Sequence, residues 1–592
     1  MTETIRFGGR FVVEDSVPES VVTPEDFTEE QRMMAEAAQQ FLEAEIIPRD
    51  AELEALNYDL TVELMRKAGE LGLLGADVPE AYGGLGLDKV STTLLAETMS
   101  RASSFALSVG AHTGIGTLPI VFFGTPAQKR AYLPDLASGK RIAAYCLTEP
   151  ASGSDALGAK TTARLSPDGK HFVLNGSKLY ITNAGFADLF IVYAKVDGEY
   201  FTAFIVERGM PGFSIGPEEH KMGIKGSSTR PLFFEDVKVP VENVLGEIGK
   251  GHHIAFNILN IGRFKLGAGC LGSAKETIEL ASSYANTRKQ FGRAISSYPL
   301  IGAKLADMNI RTFVLESILY RTAGWIDAML KSTEAEGAAN DGMQVAKAIG
   351  EYALECSIVK VFASEALDFV ADEGVQIHGG YGYIREYKVE RIYRDSRINR
   401  IFEGTNEINR MLIPGTLMKK ALKGELPLLR KVKALQAELM QPMPLPPFDQ
   451  PLSKEAFRVG QAKKAFLAVG GLAVQKLGTR LEEEQEVLCA LADLMIQIFA
   501  MESALLRTQK ITKGASADKT EHAVAMTTVF VQEAMERVES LAKLALTALE
   551  QGDGLQMQLS VLKKLMRAPL ADTVALKRKI ASRVIRSEHY VV

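Results

Sequence analysis

The sequence predicts a mainly α protein with a central β domain and an additional helical domain at its C-terminal end. Three observations carry this. Residues 27–140 place apolar side chains at helical spacing, residues 141–250 change to short β-rich runs bounded by Gly, Asn, Asp and Pro, and long amphipathic stretches return over 251–420. A proline-rich stretch, QPMPLPPFDQP at 441–451, then reads as an extended connector ahead of a second helical block rich in Ala, Leu, Lys and Glu. A chain of 592 residues is too long for one ordinary core. The expected units are an arm (1–26), a helical domain (27–140), a β domain (141–250), a helical bundle (251–420), a linker (421–452) and the C-terminal helical extension (453–592).

The elements follow in order. TPEDFTEEQRMMAEAAQQFLEAEIIPRD opens on a helix-start signal and is expected to stop at Pro48. LTVELMRKAGELGLLG repeats that logic and ends in glycine. The runs AAYCLTE, HFVLNGSKLYITNA, LFIVYAKV, YFTAFIVE and PLFFEDVKVP read as strands, with turns expected at SPDGK and LNGSK.

Composition narrows the function. The net charge of −5, with both signs mixed along the chain, argues against a nucleic-acid footprint. Four cysteines (Cys146, Cys270, Cys356, Cys489) lie scattered without CxxC spacing, which fits a reducing compartment and neither a disulfide framework nor a zinc site. The acid-bearing N-terminus lacks the features of a signal or transit peptide, and no run is read as the ~18 apolar residues of a membrane span, so a cytoplasmic location is expected. The glycine clusters YGGLGLD, GEIGKGHH and HGGYGY lack a full GxGxxG or P-loop pattern. His252 and His253 are sequence neighbours whose rings are not expected on one helical face, so no metal site is expected.

One carboxylate stands apart. In RINRIFEGTNEINRML, Glu403 follows Ile401 and Phe402 and precedes Gly404, where an extended run breaks and a helix begins. It reads either as a reactive base or as a surface charge at a turn.

Four further stretches bring a family into view. CLTEPASGSDALG (146–158), LNGSKLYITNAG (174–185), YANTRKQFGRAI (284–295) and QIHGGYGYIREYKVERIYRD (376–395) resemble, in order, the motifs of the acyl-CoA dehydrogenases. The resemblance covers about residues 30–420, and the block after 441 is similar to the C-terminal extension of the very-long-chain branch. It implies an FAD cofactor. Tyr145, Leu147 and Thr148 would contact the isoalloxazine, with Tyr180, Ile181 and Thr182 along its other side. Tyr180 stands where family members commonly carry Trp. Ser154 would serve the flavin phosphates or the CoA pantetheine. Arg288, Gln290 and Phe291 would reach the pyrophosphate of a neighbouring subunit's cofactor, implying at least a homodimer, and Gln376, Gly379 and Gly380 would hold the adenosine side. Thr405 and Asn406 follow as a bend serving the cofactor, and Asn260, Arg263, Phe402 and Gly404 are assigned to the substrate. Taken singly, each reads more simply as an ordinary sheet residue with a satisfied hydroxyl; taken with the other motifs, they read as flavin contacts.

The resemblance further implies α,β-dehydrogenation of a fatty acyl-CoA within fatty acid β-oxidation. A carboxylate takes the α-proton while the β-hydrogen leaves as hydride, and the thioester oxygen is polarised by the base's own backbone N–H and a ribityl hydroxyl. Glu403 is the expected base. The alternative base position of some branches is occupied here by Gly262, beside Arg263. SFALSVGAHTGIG (104–116), with Ser108, Gly110, Ala111 and Gly114, reads as a deep acyl pocket or as tight helix packing. KKALKGELPLLRKVKALQAELM (419–440) reads as a peripheral membrane helix or, more simply, as a cover for the body. An electron-transfer flavoprotein is the expected acceptor. An acyl-CoA oxidase using oxygen and a non-enzymatic assembly role are the competing readings.

Overall fold

Thr28 and Gln31 start the first long helix reciprocally. The Thr28 hydroxyl accepts the Gln31 N–H at 3.2 Å, and the Gln31 side chain accepts the Thr28 N–H at 3.0 Å. This capping box fixes Glu29–Phe41. The helix does not stop cleanly at Pro48. It widens to a π turn over Leu42–Ile46 and tightens to a 3₁₀ turn over Ile47–Arg49, since Pro48 lacks an N–H and its ring crowds the preceding turn. Tyr58–Glu70 is capped by the Asn57 side chain and gives way to Gly72 in the left-handed region (φ 79°), earlier than Gly75, the glycine that closes the stretch read as helical. The computed structural model describes residues 7–337 and 342–592.

The β domain is one eight-stranded sheet: β1 (Ala143–Cys146), β2 (Thr162–Leu165), β3 (His171–Thr182), β4 (Leu189–Val196), β5 (Tyr200–Glu207), β6 (Phe213–Ile215), β7 (Thr229–Pro240) and β8 (Val244–Leu245). The order is β6-β7-β3-β2-β4-β5-β8, with β1 also on β4; β1 and β2 run parallel to β4 and the other pairs are antiparallel. The turn expected at LNGSK is not a turn. Residues 174–178 lie inside the continuous strand β3, whose register on β7 shifts between Leu174 and Gly176. Gly176 sits at φ 146°, and a Cβ there would fall 2.6 Å from Thr161 Oγ1, so glycine serves a bulge rather than a reversal.

Strand β4 is buried on both faces, and this joins the domains. Phe190, Val192 and Ala194 enter the core holding Phe41, Leu64 and Met65 of the N-terminal helices. Leu189, Ile191 and Tyr193 enter a second core with Leu118, Leu133 and Ile258.

The bundle comprises Gly251–Thr287, Pro299–Ala335, Ala353–His378 and Asn406–Leu422. It shares one core with the C-terminal block, in which Leu315 and Val359 belong with Met495, Phe499 and Val529. The N-terminal arm joins it too, the Phe11 ring packing at a tilt on Phe499 with centroids 4.8 Å apart. Arg507 of the block donates to Glu316 of the bundle at 2.6 Å and to Glu25 of the arm at 3.0 Å.

Two expectations need correcting. Residues 421–452 are not all linker, because Leu428–Leu439 is a helix that packs its buried Leu435 against Ser453–Leu477; the extended connector begins after Met440. Two helical stretches, Ser104–Phe123 and Gln485–Gly514, are long and apolar enough to cross a membrane. Most of each lies buried in the protein, as core helices do.

Candidate active site

Glu403 lies in the bend between a 3₁₀ turn, Arg397–Arg400, and the helix Asn406–Leu422. It adopts φ 57°, and Gly404 follows at φ 79°. Two successive left-handed residues, one carrying a side chain, cost about 1–3 kcal/mol unless their surroundings fix them. Three side chains do so by taking three consecutive carbonyls. Arg263 Nε donates to the Glu403 carbonyl (3.1 Å), Lys360 Nζ to that of Gly404 (2.7 Å), and Asn409 Nδ2 to those of Gly404 (2.8 Å) and Thr405 (3.0 Å). The Thr405 hydroxyl then caps the next helix by accepting the Ile408 N–H.

The bend aims the carboxylate into a cavity of about 270 Å³ lined by, among others, Leu95, Met99, Gly110, Thr182, Leu266 and Phe402. Glu403 Oε2 is buried there with no hydrogen-bond partner among the described residues. Burial pushes the carboxyl up to about 7, although the nearby Arg263 and Lys360 cations pull it down. A proton acceptor poised near neutrality, with a free oxygen facing an apolar cavity, suits abstraction of a weakly acidic C–H. Gly262 lines the same cavity and leaves the room that the carboxylate occupies. Farther along the wall, Asp77 is held between Lys89 and Lys265; burial opposes its ionisation, but the two cations prevail and hold it well below the usual carboxylate range.

A second groove of about 590 Å³ opens between the end of Ala353–His378 and a hairpin, Lys289–Gln290 with Arg293–Ala294. Arg288, Gln290, Gly379 and Gly380 line it, and the Arg288 guanidinium lies 5.4 Å from the centre of the Tyr381 ring. A Cβ added to Gly379 or Gly380 would meet nothing within 4 Å among the described residues, so both backbones are open to close approach.

The fold therefore divides the residues singled out from sequence. Thr182, Phe402 and Glu403 share the cavity, while Arg288, Gln290, Gly379 and Gly380 share the groove. Thr148, expected on a strand, lies just past the end of β1 at Cys146, where its carbonyl accepts the N–H of Leu179, the neighbour of Tyr180 on β3, at 2.9 Å. Tyr145 is half-buried, and Leu147 and Ile181 are buried. Tyr180 is 60% exposed at φ 58°, and Phe291, at the hairpin tip, is 94% exposed. Ser154 and Gln376 are exposed and line neither space.

Asn260 and Arg263 are buried behind the base and paired with each other at 3.0 Å. The side chain of Asn406, expected at the cofactor, turns inward instead, bonding Lys360, Ser364 and Glu365. The His252 and His253 rings, not expected on one helical face, lie 4.1 Å apart at the first turn of Gly251–Thr287. Sequence reasoning missed Lys360, Asn409, Asp77 and Lys265. A lysine or aspartate at a position otherwise buried was the available signal.

The chain is similar to known proteins along almost its whole length. Residues 28–140, 144–237 and 249–418 match the N-terminal, middle and C-terminal domains of acyl-CoA dehydrogenases, and residues 461–564 match a further family described as "Acyl-CoA dehydrogenase, C-terminal domain". A "Probable acyl-CoA dehydrogenase" of Bacillus subtilis (strain 168) is 55% identical over 99% of both chains. The human "Very long-chain specific acyl-CoA dehydrogenase, mitochondrial" is 40% identical over 69% of this chain and 60% of its own length. A crystal structure of an acyl-CoA dehydrogenase complexed with FAD from Bacillus anthracis superposes with a TM-score of 0.98 at 56% identity, covering 99% of this chain and all of that one. The chain belongs to the acyl-CoA dehydrogenase family.

Proposed function

We propose that the protein is an FAD-dependent dehydrogenase of long-chain acyl-CoA, forming trans-2-enoyl-CoA in fatty acid β-oxidation as a homodimer that delivers electrons to an electron-transfer flavoprotein. The observation that carries this is Glu403: a strained, clamped carboxylate raised to about 7, with a free oxygen in an apolar cavity. FAD, when bound, supplies an acceptor for the hydride leaving the β-carbon. The residues present fit that group. Thr148, just past β1, and Tyr180 on β3 offer a polar and an aromatic contact side by side, and Arg288 with the Gly379–Gly380 backbone offers a cationic groove for a pyrophosphate. The exposed rings of Phe291 and Tyr180 support a partner subunit and a cofactor as their cover.

Glu403 holds the α-proton on its carboxylate, with the apolar side chains of Leu95, Met99, Leu266 and Phe402 along the cavity wall. Gly110 and Gly114 favour a pocket over helix packing. A Cβ at Gly110 would meet nothing within 4 Å among the described residues, and one at Gly114 only Lys265 at 3.7 Å. That space suits a long acyl chain.

The test is anaerobic mixing of the purified holoprotein with saturated acyl-CoAs of increasing length, following flavin bleaching and product mass. Bleaching by long chains with formation of the 2-enoyl product is expected. Absence of bleaching by every acyl-CoA would sink the proposal, and rapid peroxide formation in air would replace the dehydrogenase with an oxidase.

A further inference from the structure

We propose that Lys360 is a positioning residue that holds the Glu403–Gly404 bend in its strained conformation and keeps a cation beside the base. The inference rests on the reading of Glu403 as the base.

Lys360 lies on Ala353–His378 with no exposed surface. Its ammonium donates to the Gly404 carbonyl and to Asn406 Oδ1, both at 2.7 Å, and so ties the bend to the start of the following helix. Ser364, one turn along the same helix, engages the other side of Asn406, accepting from its Nδ2 at 3.1 Å. The bend thus meets donors from three directions: Arg263 on Gly251–Thr287, Lys360 on Ala353–His378, and Asn409 on its own helix. Left to local preference, a glutamate leaves the left-handed region, and the carboxylate would leave the cavity with it.

Asn409 already bonds the Gly404 carbonyl, so a neutral donor suffices for that oxygen. A buried ammonium is a costly way to add a second bond, which points to a use for its charge. The groups facing Lys360 are Cys270 and Arg263 from one helix, and Glu403 and Glu407 from the bend and the helix after it; Glu365 lies on its own helix. Burial lowers Lys360 to about 8, so it remains a cation where Glu403, at about 7, changes charge. Two cations, Lys360 and Arg263, therefore favour the ionised base against its burial.

The test uses holoprotein carrying Lys360→Met or Lys360→Arg and two readouts. The first is amide hydrogen exchange over residues 401–409. The second is the pH dependence of flavin reduction by saturating acyl-CoA. Lys360→Met is expected to accelerate exchange in that segment, to slow reduction at neutral pH by about tenfold or more, and to move the acid limb of the profile up by about one pH unit. Lys360→Arg is expected to keep the limb near its original place. Should Lys360→Met fail to fold, Lys360→Gln, which keeps a donor without the charge, must show the shifted limb. Unchanged exchange together with an unmoved limb in either neutral variant overturns the proposal. A parent protein that no acyl-CoA bleaches would refute the dehydrogenase reading instead, and the exchange measurement would still judge the clamp.

Discussion

The Cβ that Gly262 lacks would fall 2.6 Å from Oε2 of Glu403, and 2.8 Å from the carboxyl carbon itself. The glycine is thus the floor on which the base rests, set within a long helix where glycine otherwise weakens the structure by about 1 kcal/mol. Gly262→Ala should strengthen the helix slightly and push the carboxylate off its position. The expected outcome is an unchanged or slightly raised melting temperature with flavin reduction slowed by about tenfold or more. Normal reduction in a folded Gly262→Ala protein would refute the contact.

The pH dependence of reduction follows from the burial of Glu403. Its carboxyl is raised from 4.5 to about 7, and the base acts only when ionised. Reduction should therefore be fast above pH 7 and fall about tenfold per pH unit below it. A rate flat down to pH 5 would remove Glu403 from the role.

The same shift has a cost in stability. Folded protein binds the Glu403 proton more tightly than unfolded chain does, so stability is lost as pH rises from 4.5 towards 7 and stays lost above. The rise amounts to up to about 3 kcal/mol. Glu403→Gln removes the penalty. Urea unfolding at pH 8 should show the variant more stable than the parent, with the difference vanishing near pH 4. The variant should retain FAD and bind acyl-CoA without bleaching.

Much of this was legible in the residues themselves. Thr28 and Gln31 announced a capped helix, the β-rich runs between 141 and 250 announced the sheet, and Glu403 stood out by its apolar neighbours and the glycine behind it. What stayed hidden depends on partners distant in sequence. Gly176 reads locally as a turn, but pairing with Phe234 on β7 draws it into a bulged strand. Lys360 belongs to no motif, and its meaning comes from a carbonyl 44 residues away. Lys265 meets Asp77 across 188 residues, and a charge among apolar neighbours hints at burial without naming the partner that satisfies it.

That ion cluster yields a fourth prediction. Asp77 lies between Lys89 and Lys265, both buried or nearly so, on the wall of the cavity that Glu403 faces. Asp77→Asn leaves two buried ammonium groups without their counter-charge, which should destabilise the fold by about 3–5 kcal/mol. The folded Asp77 carboxyl lies below its ordinary value of 3.8, so its contribution is complete above that pH and is lost as pH falls through the folded value. Denaturation midpoints of parent and variant should accordingly differ most at neutral pH and converge in strong acid.

Arg507 tests whether the C-terminal block is part of the catalytic body. Its guanidinium, 2% exposed, bonds Glu316 of the bundle and Glu25 of the arm, while Tyr590 near the chain's end donates to the same Glu316 at 2.6 Å. Burial opposes the Glu316 charge, but Arg507 and Lys275 prevail and lower its carboxyl to about 2, so it is ionised at every working pH. Arg507→Met would leave that buried carboxylate to Lys275 and remove the guanidinium's bonds to Glu25 of the arm, at a cost of about 3–5 kcal/mol. Because the block and the bundle share one hydrophobic core, the loss should appear as a lower midpoint of a single unfolding transition followed by both fluorescence and flavin release. Two separated transitions, with flavin retained after the first, would mean that the block folds as an independent appendage.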